Sequence, residues 1–228
     1  FTTMWIFGNP PKILFFDNHI RNLIRSLTKY RIKKKSLRKN IIELLNKNLS
    51  KNINYNHLLR IAVNNKIISI SLRKRYTPKL NFSLKLVDLK RENPEYKNLK
   101  YKKILSHLKK IDNSSSDIGI VNQNRILETG TSNLLFIKDK KVFTPKKDYY
   151  QGHTYKYFRS KIKNIIKKDI FKKDLKRYDE ILLIGSGKGV ASVKTISQIN
   201  WKRKSLKNYK IFSNYYKIAI KKCNTYKF

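Results

Sequence analysis

Apolar positions along this chain fall into short runs whose spacing alternates between strand-like and helical. Residues 4–7 and 12–16 are two apolar runs separated by Gly8-Asn9-Pro10-Pro11, which predicts a hairpin with turn chemistry at its centre. Asp17 or Asn18 can cap a helix over residues 18–29, where Ile20, Leu23, Ile24 and Leu27 repeat with helical period. Residues 35–47 predict a second helix, with Leu37, Ile41, Leu44 and Leu45 inward. Residues 58–63 and 67–72 predict strands joined by a turn at Asn64-Asn65, and residues 82–87 alternate as another strand. Together these form a small N-terminal α/β domain over residues 1–90.

Residues 88–95 are polar, hold Pro94 and show no period, which marks them as the linker into a larger domain over residues 91–228. That second part predicts a helix over 100–110 and short strands at 119–121, around Leu127, at 134–138 and at 141–144, with a tight turn at Asp139-Lys140. Residues 154–168 predict a long basic helix. Residues 181–184 predict a buried strand that ends in Gly185-Ser186-Gly187-Lys188-Gly189. The fold class expected is α/β in the mixed, α+β sense, without internal repeats.

Composition and the chain's ends add further constraints. Hydrophobic residues make up 40% of 228, enough for a real core, so the chain is not disordered. No apolar run is long enough to cross a bilayer, and no signal peptide is visible. The chain does not open with Met, so a piece of a longer protein is expected. Cys223 is the single cysteine, which excludes an internal disulfide, and no spacing suggests a metal site; a reducing cytoplasm is the expected location. Lys and Arg total 54 against 14 acidic residues, a formal charge of +40. Such an excess points to nucleic acid or an anionic surface, or else to the Lys-, Asn- and Ile-rich bias of an AT-rich coding sequence. The spread of charge along the whole chain favours the second reading. Either way, small anions should be attracted.

Four local features bear on chemistry. Glu128-Thr129-Gly130-Thr131-Ser132-Asn133 packs small hydroxyl residues beside an acid between two strands, although alone it reads as a polar turn. Gly152-His153-Thr154 opens a helix with free amides and a hydroxyl, an arrangement that suits a phosphate but also plain N-capping. Gly185-Ser186-Gly187-Lys188-Gly189 comes after a buried strand with neither Walker nor Rossmann spacing, so it is as readily a flexible turn as an anion loop. Lys97 carries no local mark of reactivity; a reactive lysine amine needs partial desolvation to free its lone pair.

Taken in order, these features resemble the class IV aminotransferases and their lyase relatives, the fold type IV pyridoxal-phosphate enzymes. Lys97-Asn98-Leu99-Lys100-Tyr101 is similar to that family's Lys-x-Leu-Asn-Tyr, and Asp117 stands at the family's distance from it. Leu127 to Leu134 resembles its Thr-Glu-small-small-Ser-Asn run, Val142-Phe143-Thr144-Pro145 its Tyr-Thr-Pro, and Gly152-His153-Thr154 its Gly-Ile-Thr. Leu183-Ile184-Gly185-Ser186-Gly187 resembles its last phosphate loop. The resemblance implies two domains, the larger with a β-barrel-like core, pyridoxal 5'-phosphate (PLP) in the cleft between them, and a homodimer. It implies that Lys97 binds the cofactor covalently and shuttles protons, that Glu128 pairs with the pyridinium nitrogen, and that Tyr101 hydrogen-bonds the phenolic oxygen. His153, Thr154, Ser186 and Gly187 would hold the phosphate. The departures are these: Asn22 occupies the place of a phosphate-gripping Arg, Asn98 and Lys100 replace the usual neighbours of Lys97, with Lys100 in the place of an Asn, and the strand that precedes Phe1 in the family is missing.

Within the family, Lys188-Gly189-Val190 after the phosphate loop and the opening Phe1-Thr2-Thr3 look more like 4-amino-4-deoxychorismate lyase, with Lys188 a candidate substrate-carboxylate contact. A branched-chain or D-amino-acid transaminase is the alternative. A catalytically degenerate, basic nucleic-acid-binding protein is a third possibility, with Tyr149, Tyr150, Tyr155 and Tyr157 as a stacking platform.

Overall fold

The computed structural model describes residues 1–227. They divide into two units: Phe1–Arg75 together with the C-terminal residues from Ala219 on, and Tyr76–Ile218.

In the first unit, the chain runs through β1 (Thr2–Gly8), β2 (Lys12–Ile13), α1 (Phe16–Lys29), α2 (Leu37–Asn48), β3 (Tyr55–Val63) and β4 (Ile68–Lys74). The strands form an antiparallel sheet in the order β2-β1-β3-β4, with Ile6 opposite Ile13 in the expected hairpin. Alternation places Met4, Ile6, Leu59 and Ile61 on the buried face. There they share one apolar cluster with Ile20, Leu23 and Leu27 of α1 and Ile41 and Leu45 of α2. Neither Asp17 nor Asn18 caps α1. The chain turns through a left-handed Phe15 and the helix starts at Phe16, so Asp17 lies in the first turn, where its charge complements the helix dipole. Asn64 makes the predicted turn, its Oδ1 accepting from the amides of Lys66 and Ile67 at 2.8 Å each. The C-terminal tail returns to this unit: Thr225 bridges Lys12, and the Tyr226 amide donates to Pro11 O at 2.8 Å.

The second unit runs β5 (Asn81–Asp88), α3 (Lys102–Leu108), β6 (Ser116–Asn122), β7 (Arg125–Thr129), β8 (Asn133–Lys138), β9 (Lys141–Pro145), α4 (His153–Lys161), β10 (Ile165–Lys168), β11 (Glu180–Gly185), β12 (Gly189–Ile196), β13 (Trp201–Lys202) and α5 (Lys207–Lys221). Its strands form one curled, half-barrel sheet in the order β10-β9-β8-β11-β12-β5-β6-β7, with β13 added on β12. The central strands β8 and β11 read as continuous apolar runs because both faces are covered. Phe82, Leu84, Leu134, Phe136, Leu183 and Val193 meet in the main core.

Three expectations change here. Strand 82–87, expected in the small N-terminal domain, is β5, which lies between β12 and β6 and runs parallel to both. The division between units therefore falls after Arg75 rather than at residue 90; of residues 88–95, Asp88 ends β5 and the rest begin a loop inside the second unit. Parallel pairing needs a long crossover, which that loop and α3 supply. The long basic helix expected over 154–168 stops at Lys161, and Ile165-Ile166 pair as β10 with Val142 and Phe143 of β9. β-branched side chains favour extended backbone, and the edge of β9 offers partners that an exposed helix end does not. Finally, β12 and α5 lie beyond the elements that the pattern predicts.

The β8–β9 turn has Asp139 at φ 50° and Lys140 at φ 62°, the two positive dihedrals of a tight hairpin turn. A lysine there carries a steric penalty that glycine avoids. Lys140→Gly should raise stability by ~0.5–1 kcal/mol, read as a higher urea midpoint at unchanged slope.

Candidate active site

The residues singled out in sequence gather at the ends of β7, β8 and β11 and on the loops beside them. At the end of β7 the chain turns sharply through Gly130-Thr131-Ser132 into β8. Thr129 Oγ1 accepts from the Ser132 amide at 2.7 Å and from the Thr131 amide at 3.2 Å, which closes the turn. A Cβ at Gly130 would stand 2.9 Å from Ile118 Cγ1 and 3.0 Å from Leu108 Cδ2, so a side chain there would force Ile118 to shift.

Beneath this turn lies Asp117, fully buried at the start of β6. Its Oδ2 accepts from Thr129 Oγ1 at 2.9 Å, Thr131 Oγ1 at 2.6 Å and Lys188 Nζ at 2.6 Å, while Oδ1 accepts from the Ile118 amide at 2.8 Å. Lys188 Nζ also sits 4.4 Å from the Phe82 ring centroid. The lysine expected to face substrate thus neutralises a buried acid, and its side chain is 9% exposed. A charge left unpaired at such depth is costly, which explains why Asp117 holds it so closely.

Glu128 precedes Thr129 and points to the other face of β7. It is buried, with Oε1 2.8 Å from Arg91 Nη1 and Oε2 accepting from the Tyr150 amide at 3.3 Å. Burial pushes its pKa up to about 7, although Arg91, the Tyr150 amide and the charge of Lys97 all pull the other way. Lys97 is half-buried on the irregular stretch between β5 and α3, its Nζ 5.1 Å from the centroid of the Tyr150 ring. Lys97, Glu128, Arg91 and Tyr150 therefore form one electrostatic group. Tyr101 is half-buried and packs with the apolar cluster of Val87, Ile104 and Ile118.

Tyr150 begins the link to the second group. Asn133 Nδ2 donates to Tyr150 O at 2.5 Å and its Oδ1 accepts from the Gly152 amide at 2.9 Å, so one side chain sets the path into α4. A Cβ at Gly152 would stand 2.9 Å from that same Oδ1. His153 and Thr154 form the buried first turn of α4, where backbone amides lack intrahelical acceptors. Thr154 Oγ1 lies 3.5 Å from Ser186 Oγ in the turn after β11. That turn is fixed from behind by Tyr216, whose hydroxyl donates to Ser186 O at 2.8 Å, and Gly187 is its half-buried next residue. Two hydroxyls and a helix N-terminus converge here, an arrangement whose donors suit an anion.

Sequence pattern marks neither Arg91 nor the linking role of Asn133, and it offers Tyr150 only as part of a stacking platform. Arg91 stands six positions before Lys97 with Pro94 between, but in a chain this rich in basic residues nothing separates it from its neighbours. Tyr149, Tyr150 and Tyr155 are buried, so they offer no stacking platform, and half-buried Tyr157 donates its hydroxyl to Tyr215 O. Asn22 is half-buried on α1, with its carbonyl accepting from Ser26 Oγ at 2.9 Å. No helix among the described residues is long and apolar enough to cross a membrane.

The amino-transferase class IV family model matches residues 1–196. No curated protein sequence matches significantly. Among solved structures, a Legionella pneumophila protein provisionally assigned as a 4-amino-4-deoxychorismate lyase aligns with TM-score 0.78 at 17% identity, over 96% of this chain and 90% of its own. The branched-chain aminotransferase of Thermoproteus uzoniensis, solved with norvaline, aligns with TM-score 0.79 at 14% identity, over 96% and 84%. A hypothetical aminotransferase from Mycobacterium tuberculosis in its PLP-bound form aligns with TM-score 0.75 at 15% identity, over 96% and 88%. At these identities the structures establish a shared fold.

Each buried acid has a measurable consequence for stability. Glu128 has a folded-state pKa above its ordinary value, so the native state binds the extra proton and is favoured below the ordinary carboxylate pKa. That contribution is lost as pH rises through about 7. In the cofactor-free protein, stability relative to Glu128→Gln should fall by roughly 3 kcal/mol between pH 4.5 and 7.5, measured by urea unfolding at each pH. Lys188→Met should destabilise by about 3 kcal/mol, and the double variant with Asp117→Asn by less than the sum of the two singles.

Proposed function

Because the chain belongs to the class IV aminotransferase family, an enzyme family that uses PLP, we propose that it is a PLP-dependent enzyme whose reaction is that of 4-amino-4-deoxychorismate lyase. The observation that carries the PLP reading is the placement of Lys97 over the Tyr150 ring, in one electrostatic group with the buried carboxyl of Glu128, whose pKa burial pushes up to about 7. An amine and an acid in one desolvated group suit the reactive amine and the ring-nitrogen partner of the cofactor. The convergence of Thr154, Ser186 and the α4 N-terminus suits its phosphate. The donor set therefore fits PLP.

When bound, PLP supplies an electron sink for the carbon that loses a proton. Lys97 Nζ would take that proton from the substrate carbon bearing the amine; in the lyase reaction the ring C–O bond to the enolpyruvyl group breaks and a proton goes to the methylene carbon of the departing group, which gives pyruvate. Glu128 orients the ring and holds a proton at the ring nitrogen. His153, Thr154, Ser186 and Gly187 anchor the phosphate, and the pinned Tyr150–Gly152 link keeps the two ends in register.

The lyase reading converts 4-amino-4-deoxychorismate to 4-aminobenzoate and pyruvate with no amino acceptor. It rests on Lys188-Gly189-Val190 after the phosphate loop, on the opening Phe1-Thr2-Thr3, and on a strongly basic chain suited to a dianionic substrate. The engagement of Lys188 with Asp117 leaves the substrate carboxylates to other cations.

Protein purified with PLP should show a near-visible absorption band, and borohydride should fix the pyridoxyl group on Lys97. Lys97→Ala should lose the band and at least ~10²–10⁴-fold in turnover. Equal amounts of 4-aminobenzoate and pyruvate without a 2-oxo acid would support the lyase. Turnover that requires a 2-oxo acid as amino acceptor would place the chain among the transaminases instead.

A further inference from the structure

Residues 89–101, between β5 and α3, contain no regular secondary structure. A connection of this length inside a packed unit needs side-chain anchors to hold one conformation. Several of its hydrogen bonds lie in solvent: Lys100 Nζ to Glu92 at 2.8 Å and Asn98 Nδ2 to Glu92 O at 2.9 Å. Exposed pairs of this kind contribute little order. Arg91 differs, because its side chain is 15% exposed and faces a carboxyl that is 6% exposed. Nη2 donates to Pro94 O and, at 2.9 Å, to Tyr96 O, the carbonyl immediately before Lys97. Nη1 reaches Glu128 Oε1 at 2.8 Å. One planar guanidinium thus fixes the backbone leading into the reactive lysine and the carboxyl on β7.

We propose that Arg91 is a positioning residue that sets Lys97 and Glu128 in register before the cofactor arrives. The inference rests on the reading of Lys97 and Glu128 as cofactor groups. Arg91 acts through those residues and needs no contact with substrate. A guanidinium suits the task because its fork of donors serves two carbonyls and a carboxylate at once. A lysine supplies the charge from a single point and cannot span the same three acceptors. The two parts of the role therefore separate by substitution: Arg91→Lys retains the charge beside Glu128 and loses the brace on the loop, whereas Arg91→Gln loses both.

The experiment compares wild type, Arg91→Lys and Arg91→Gln in two measurements. Amide hydrogen exchange in the cofactor-free proteins reads the loop, and titration with PLP reads binding. In both variants residues 95–99 should exchange at least ~10-fold faster while β8, β11 and β12 keep wild-type protection, and PLP should bind at least ~10-fold more weakly. The pH midpoint of the Glu128-dependent stability change should stay near the wild-type value in Arg91→Lys and move upward in Arg91→Gln. Arg91→Lys keeps a cation at the site, so its exchange pattern decides the matter even if Arg91→Gln does not fold. Unchanged exchange at residues 95–99, or faster exchange spread equally through the sheet, would overturn the proposal. Unchanged PLP affinity in the variants, with wild type binding normally, would overturn it as well and leave the functional reading intact. Failure of wild type to bind PLP would remove the functional reading, and the proposal with it.

Discussion

The geometry around the site depends on one fully buried carboxylate, Asp117. An ionised acid removed from water is tolerated only where donors surround it. Here two threonine hydroxyls, an amide and the Lys188 ammonium do so, and they come from β6, the β7–β8 turn and the β11–β12 turn. Meeting that requirement draws the two turns together. The turn carrying Ser186 and Gly187 is then pinned on one side by Lys188 and on the other by Tyr216. The Ser186 hydroxyl beside Thr154 thus owes its placement to an ion pair in the adjoining turn.

The scarcity of acids takes on meaning in this light. With 14 acidic residues against 54 basic ones, several acids occupy positions where a structural donor set would otherwise be unmet. Glu180 accepts from the backbone of Asn208 and Tyr209 at the first turn of α5, at 2.9 Å each. Asp112 takes hydroxyl and amide donors from Ser114 and Ser115, which hold its carboxyl well below the usual carboxylate range. Glu128 is the exception, since burial outweighs its partners and leaves it able to titrate. The remaining surface is overwhelmingly cationic, and its field favours anionic ligands at long range in a salt-dependent way.

Local pattern revealed much of the architecture because strand alternation and helical period are local properties. The β1–β2 hairpin, α1, α2 and the strands on either side of Asp139-Lys140 were all readable in that way. Sheet membership was not. Phe82 to Val87 alternates identically whether it closes a small domain or enters the middle of a larger sheet, and only pairing with β12 and β6 decides. The end of α4 was hidden for a similar reason, since Ile165 and Ile166 satisfy helical spacing and strand propensity together. Within the site, Lys97, Glu128, Thr154 and Ser186 were legible as an ordered series resembling a family. Arg91 and Tyr150 meet Glu128 from 37 and 22 positions away in sequence, and those contacts leave no periodic trace.

The returning C-terminal tail has a consequence for solubility. β2 is two residues long and forms one margin of the first sheet, with backbone groups that could otherwise recruit a foreign strand. Thr225 bridges Lys12 there, the Tyr226 amide occupies Pro11 O, and the Tyr226 ring lies edge-on to Phe16. The tail thus acts as a cover that denies this margin to other chains. A protein shortened by its last few residues would keep its candidate site residues and yet present an open edge, so self-association rather than lost chemistry would be its first defect.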